Sequence, residues 1–109
     1  MKILQTKISD KEKSFKYELV LDDKVLGYGY IINRAINPIE VYIGQQYQSN
    51  GYGKVLFNGL LELLRQRHIK GTVFELKDEQ YKFQNIILQA GAIQVSRNGS
   101  IVKYILKIN

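Results

Sequence analysis

The sequence predicts an α+β domain in which two helices lie on a sheet of about seven strands. Three features of the chain carry that reading. Apolar and polar residues alternate through residues 15–21, the period of a half-buried strand, and a short acidic turn leads to a second arm rich in Tyr and Ile. From Gly51 the apolar spacing lengthens to three- and four-residue steps, which winds an amphipathic helix. Near the end, Asn98-Gly99 lies between two apolar runs, a strong short-range hairpin signal.

Taken in order, residues 2–8 form a short first strand, and residues 9–13 a polar turn. Phe15, Tyr17, Leu19 and Leu21 alternate with Lys16, Glu18 and Val20 in the second strand. Asp22-Asp23-Lys24 reverses the chain, and residues 25–33 return as the third strand. Gly27 and Gly29 within that arm mark a bulge or a close backbone approach. Residues 35–38, which include the single proline, Pro38, turn into a fourth strand over 39–44. Val55, Leu56, Leu60, Leu63 and Leu64 place one face of a helix that ends near His68. Residues 72–76 make the fifth strand, and Asp78 is the expected N-cap of a second helix running to Ala90, where Gly91 stops it. Residues 92–96 and 101–108 close the chain as a hairpin. A strand–helix–strand crossover around the first helix follows from this order.

With 109 residues, the chain fits one domain over 1–109. Its hydrophobic content of 45% and charged content of 24% are those of a globular protein and exclude wholesale disorder. No apolar run nears the roughly 20 residues of a membrane span. The first residues lack a secretory pattern, so a cytoplasmic protein is the expectation. No cysteine is present, which excludes disulfides, thiolate metal sites and a cysteine nucleophile. A single histidine, His68, argues against a histidine metal cluster and suits a helix C-terminus. Sixteen Lys and Arg against ten Asp and Glu give a net charge of +6, which suits a polyanionic or phosphorylated partner. Lys2, Lys7, Lys11, Lys13, Lys16 and Lys24 are dispersed rather than bunched, which argues against nucleic acid.

The chemistry concentrates where the fourth strand passes through a polar, glycine-bearing loop into the first helix, from Val41 to Lys54. Glycines let backbone approach phosphate oxygens, and the first N–H groups of a helix have no internal acceptor. The helix dipole adds partial positive charge there, and Lys54 adds a full one. No Gly-Lys-Ser/Thr follows, so this is not a Walker loop, and the third glycine of a dinucleotide fingerprint is missing.

Gln48-Ser49-Asn50-Gly51-Tyr52-Gly53 resembles the Gln/Arg-x-x-Gly-x-Gly/Ala signature of the GNAT superfamily of N-acetyltransferases. Val41-Tyr42-Ile43 takes the place of that family's splayed fourth strand, and Tyr47 the aromatic place before the signature. The likeness runs on through the first helix, Val73-Phe74-Glu75-Leu76 and the second helix to Gln89-Ala90-Gly91-Ala92. The resemblance implies a GNAT-like mixed sheet and a loop that holds the pyrophosphate of acetyl-CoA through Gln48, Ser49, Asn50, Gly51, Tyr52, Gly53 and Lys54. It implies further that the backbone of Val41, Tyr42 and Ile43 pairs with the pantetheine arm, and that Gln80 stands where a family asparagine touches the cofactor. The implied activity is direct transfer of an acetyl group to a primary amine on a peptide, a protein or a small molecule.

The same comparison places Glu75 where some members carry a general base, and Glu40, entering the fourth strand, is the second candidate. Tyr28, Tyr30 and Tyr42 are the aromatic candidates for the acceptor side. Ile87 falls where many members have a tyrosine that protonates the departing thiolate, and isoleucine has no proton to give. Tyr81 shares that helix on another face. The family's two helices between the first and second strands are replaced here by a turn. An open acceptor side follows, to be covered by a peptide, a protein surface or a second subunit of a homodimer. The alternatives to an enzyme are a silent CoA-binding regulatory module, which Ile87 favours, and a basic binding domain that uses neither chemistry.

Overall fold

A computed structural model describes residues 1–9 and 14–108 of the chain. Of the turn expected over residues 9–13, Ser9 belongs to the first strand and residues 10–13 lie outside the described residues. Seven strands and two helices follow in the expected order: β1 (Lys2–Ser9), β2 (Ser14–Leu21), β3 (Lys24–Ile31), β4 (Ile39–Ile43), α1 (Tyr52–Gln66), β5 (Gly71–Lys77), α2 (Tyr81–Gln89), β6 (Ile93–Asn98) and β7 (Ile101–Lys107). The strands form two sheets, one in the order β1-β2-β3-β4 and the other in the order β5-β7-β6. Every strand pair within them is antiparallel.

Local chemistry sets the joints. Asp22 and Asp23, at φ 51° and 62°, form the two-residue reversal between paired Leu21 and Lys24. Positive φ at both central residues is the geometry that follows strand twist. In the closing hairpin, Asn98 pairs with Ile101, so the turn residues are Gly99 and Ser100 rather than Asn98 and Gly99. Gly99 takes the positive φ of 61° at the first central position. α1 ends with His68 in the left-handed conformation, its N–H bonded to Arg65 O at 3.0 Å, and Ile69 N–H to Leu64 O at 3.1 Å. His68 thus fills the place glycine usually takes in this motif. Asp78 does not cap α2: a 3-10 turn over Asp78–Gln80 precedes the helix, Gln80 is its N-cap, and Asp78 pairs with Arg97 at 2.8 Å.

Both readings of the β3 glycines hold. The register between β2 and β3 shifts just beside Gly27, and a Cβ on Gly29 would stand 2.6 Å from Leu60 Cδ1. That missing side chain lets α1 settle on β3. The helix turns Leu56, Phe57, Leu60, Leu61 and Leu64 into the core. Phe57 of α1, Phe74 of β5 and Phe83 of α2 meet at ring separations of 5.6–6.1 Å. These rings pin both helices across the division between the sheets.

β4 and β5 are not paired. What joins the sheets is the β3–β4 loop, where Ile36 forms a parallel bridge to Val73. Asn37, at φ 53°, donates its N–H to Val73 O at 2.9 Å. Its side chain then acts as a further strand residue: Nδ2 donates to Glu75 O and Oδ1 accepts the Glu75 N–H, both at 2.9 Å. Asparagine tolerates left-handed backbone better than most residues, which suits it to this clip. Asn37→Ala removes both side-chain bonds and strands two backbone groups. It should destabilise the fold by about 1–3 kcal/mol in urea unfolding, and a loss below about 0.5 kcal/mol would show that the clip is dispensable.

Candidate active site

The division between β4 and β5 opens two clefts that share Val41, Lys82 and Phe83. One, of about 490 Å³, lies at the start of α1 and is lined by Ile43, Tyr47, Gln48, Ser49, Gly51, Tyr52, Gly53 and Lys54 from the loop and helix, with Asn85, Ile86 and Gln89 from α2. The other, of about 510 Å³, lies at the start of β4, with Arg34, Asn37, Glu40, Tyr42, Glu79, Gln80 and Tyr81 around it. β4 ends its sheet, so its outer edge carries unpaired backbone groups between these clefts.

The loop at the first cleft is held from within. Gln48 Nε2 donates to Ile43 O at 3.2 Å, tying the loop back to β4. Asn50 Nδ2 donates to Tyr47 O and Gln48 O, each at 3.2 Å. Asn50 therefore braces the turn and is not among the cleft-lining residues. Ser49 and Gly51 both take left-handed backbone, at φ 67° and 78°. α1 starts at Gly51 with no side-chain cap and no acidic residue in its first turn. The space where a Gly51 side chain would stand is open, with no atom within 4 Å. A Cβ on Gly53 would meet Ile86 Cδ1 at 3.2 Å, so glycine there keeps α2 close. Lys54 and Lys82 line this cleft, and no carboxylate lines it among the described residues. Uncapped amides, two ammonium groups and no opposing acid make an anion site.

Lys82, Asn85, Ile86 and Gln89 were not expected here from the sequence. Their spacing of three, one and three residues puts them on one face of α2, a signal that the helical period does contain. Gln80 reaches the second cleft, but its Oε1 accepts the Lys77 N–H at 2.8 Å.

The second cleft holds the carboxylates, Glu40 and Glu79. Tyr42 OH donates to Glu40 Oε2 at 3.2 Å, and Arg34 Nη2 stands 3.7 Å from the same oxygen. Burial raises the Tyr42 phenol above its ordinary value of 10.0, and the Glu40 charge and hydrogen bond add to this, while Arg34 works against it. Tyr42 is therefore a protonated phenol throughout the neutral range. Tyr30 packs edge-on to Tyr42 at 6.0 Å, and Lys16 Nζ sits 4.2 Å above the Tyr28 ring. Of these three tyrosines only Tyr42 lines the cleft.

The two candidate bases are placed differently. Glu40 lines the second cleft; Glu75 does not, and its backbone is engaged by Asn37. Ile87 is fully buried in the core and lines neither cleft, so α2 presents no proton donor from that position. Among the described residues no helix is long and apolar enough to cross a membrane, and no cluster of acidic or histidine side chains is arranged to hold a metal.

No family model matches the sequence, and no curated protein matches it. Solved structures do match. The chain is similar to the spermidine N-acetyltransferase of Vibrio cholerae in complex with CoA and spermine, with a TM-score of 0.70 at 14% identity, over 91% of this chain and 67% of that one. It is similar to the N-acetyltransferase PseH of Campylobacter jejuni in complex with acetyl coenzyme A, with a TM-score of 0.71 at 11% identity, over 88% and 69%. The PaiA N-acetyltransferase of Thermoplasma acidophilum in complex with coenzyme A gives 0.69 at 13% identity, over 86% and 60%. At such identities the likeness is one of architecture, and by it the chain has the fold of the GNAT N-acetyltransferases.

Proposed function

We propose that the chain is an acetyl-CoA-dependent N-acyltransferase that moves an acetyl group to a primary amine by direct transfer. The observation that carries this reading is the free edge of β4, which leads from a lysine-flanked, uncapped helix start to the Glu40–Tyr42 pair. The residues fit such a cofactor. The α1 amides, Lys54 and Lys82 would hold the pyrophosphate, with Gln48 and Asn50 keeping the loop in shape. The backbone of Val41 and Ile43 would receive the pantetheine amides as an added strand receives its neighbour. When bound, acetyl-CoA supplies an activated thioester carbonyl.

The chain's own part is proton handling and orientation. Glu40 takes a proton from the incoming ammonium or amine. A β4 backbone N–H faces the charge that develops on the carbonyl oxygen. With Ile87 buried, the phenols that line the acceptor cleft are Tyr42 and Tyr81, and they are the local source of a proton for the thiolate. The CoA and spermine held by one structurally similar protein, and the acetyl coenzyme A held by another, support this reading.

Thermal unfolding with and without acetyl-CoA tests the cofactor assignment. Ligand at one hundred times its dissociation constant should stabilise the fold by about 2.7 kcal/mol if it binds only the folded chain. No shift at millimolar acetyl-CoA retires the assignment. A second reading, a CoA-binding regulatory module without chemistry, is favoured by the buried Ile87. It gains if acetyl-CoA binds and no amine in a broad panel releases free thiol.

A further inference from the structure

We propose that the amine acceptor is a zwitterion, a small molecule with an ammonium and a carboxylate a few bonds apart, in the simplest case a free amino acid. This rests on the transferase reading and names the acceptor of that site. The second cleft brings both signs of charge together: with Lys82 given to the pyrophosphate, Arg34 is its cation, beside the carboxylates of Glu40 and Glu79. A polyamine would meet Arg34 as a like charge, whereas a zwitterion pairs its carboxylate with Arg34 and its ammonium with Glu40.

The two groups nearest one another are also poorly satisfied by each other. Arg34 Nη2 and Glu40 Oε2 stand 3.7 Å apart, beyond hydrogen-bond reach. Arg34 is anchored through Nε, which donates to Asn37 O at 2.9 Å. That bond fixes the direction of the guanidinium and leaves its terminal N–H groups for a carboxylate, which they fit in a two-point fork. Glu40 takes one long bond, from Tyr42 at 3.2 Å, and has lone pairs left for an ammonium. An α-amino acid separates its two charges by about the distance at which Arg34 and Glu40 stand.

An extended peptide is less well served. Residues 36 and 37 already occupy the β5 edge at Val73 and Glu75. A peptide acceptor therefore finds no backbone rail on that side, although strand addition is how extended peptides commonly bind. The cleft, at about 510 Å³, is of small-molecule size. In the reaction the acceptor ammonium passes one proton to Glu40, and its nitrogen lone pair forms a bond to the thioester carbon. The carbon–sulfur bond breaks, the nitrogen gives up its second proton, the thiolate gains one in exchange, and the products are an N-acetyl amino acid and CoA thiol. One proton is released to solvent when Glu40 resets.

The test pairs the twenty L-amino acids with their α-amides, alongside spermine and an N-terminal tripeptide, and reads thiol release. Calorimetric titration of the best acceptor into the CoA-loaded protein gives a readout independent of turnover. At least one free amino acid should exceed its amide tenfold in kcat/KM and in affinity. Arg34→Ala should bring that ratio close to one, and Arg34→Glu should invert it in favour of the amide; circular dichroism checks that both fold. Amides, spermine or the tripeptide preferred by the unaltered protein would overturn the proposal, as would a preference that survives Arg34→Ala. So would CoA binding without binding or turnover of any amino acid. Failure to bind CoA at all instead removes the transferase reading beneath it, so the two failures are distinct.

Discussion

Glu40→Gln is expected to lower turnover by about 10²–10⁴-fold at neutral pH while leaving acetyl-CoA affinity unchanged. Glutamine keeps the shape of the side chain and an acceptor for the Tyr42 hydroxyl, but it has no basic lone pair to take the amine proton. Activity should recover in part as pH rises, because more of the amine is then already unprotonated. The substitution also removes the negative charge that helps raise the Tyr42 phenol. Tyr42 should therefore ionise at lower pH in the variant, which ultraviolet titration of the phenolate detects. The same logic fixes a pH effect on stability. A phenol raised in the folded chain contributes stability that is full below its unfolded value and is lost as pH rises through the folded one. Glu75→Gln is the control that distinguishes the two carboxylates. If it abolishes turnover and Glu40→Gln does not, the base lies on β5 and acts from outside the cleft lining.

The second large effect is expected at the helix start. Gly51→Val should abolish acetyl-CoA binding, seen as loss of the thermal stabilisation described above. Gly51 stands at φ 78° with open space around its missing side chain. Valine there would project a branched group into the space in front of the α1 amides, where phosphate oxygens must approach. The backbone strain adds roughly 1–2 kcal/mol of destabilisation to the ligand-free fold, little enough for the variant to be purified and measured. Gly53→Val acts by another route, pushing on Ile86 and so on the α2 wall. A folded Gly51→Val that binds acetyl-CoA with unaltered affinity would falsify the cradle.

What the sequence determined by itself is local. The two-residue period of β2, the helical period of α1 and the glycine ending α2 are preferences of a few neighbouring residues. They survive any tertiary arrangement, and they were legible without one. The same holds for the strand–loop–helix passage from Val41 to Lys54, because an uncapped helix start beside glycines has its chemistry wherever it is placed. The turn details were less legible: the sequence marked Asn98-Gly99, but strand register decided that Gly99 and Ser100 make the turn.

Tertiary structure decided everything that depends on which distant residues meet. The strands divide into two sheets, and Asn37 clips them together across 38 positions of chain. No local pattern distinguishes that asparagine from any other turn residue. The helical period groups Lys82 with Asn85, Ile86 and Gln89 and sets Ile87 apart from them, but only packing decided that Ile87 enters the core and that the Lys82 face lines the cleft. Glu40 and Glu75 are equivalent as acids in a strand. Only the gap between β4 and β5 sets them apart, by opening on Glu40 while Asn37 closes over the edge of the strand that carries Glu75.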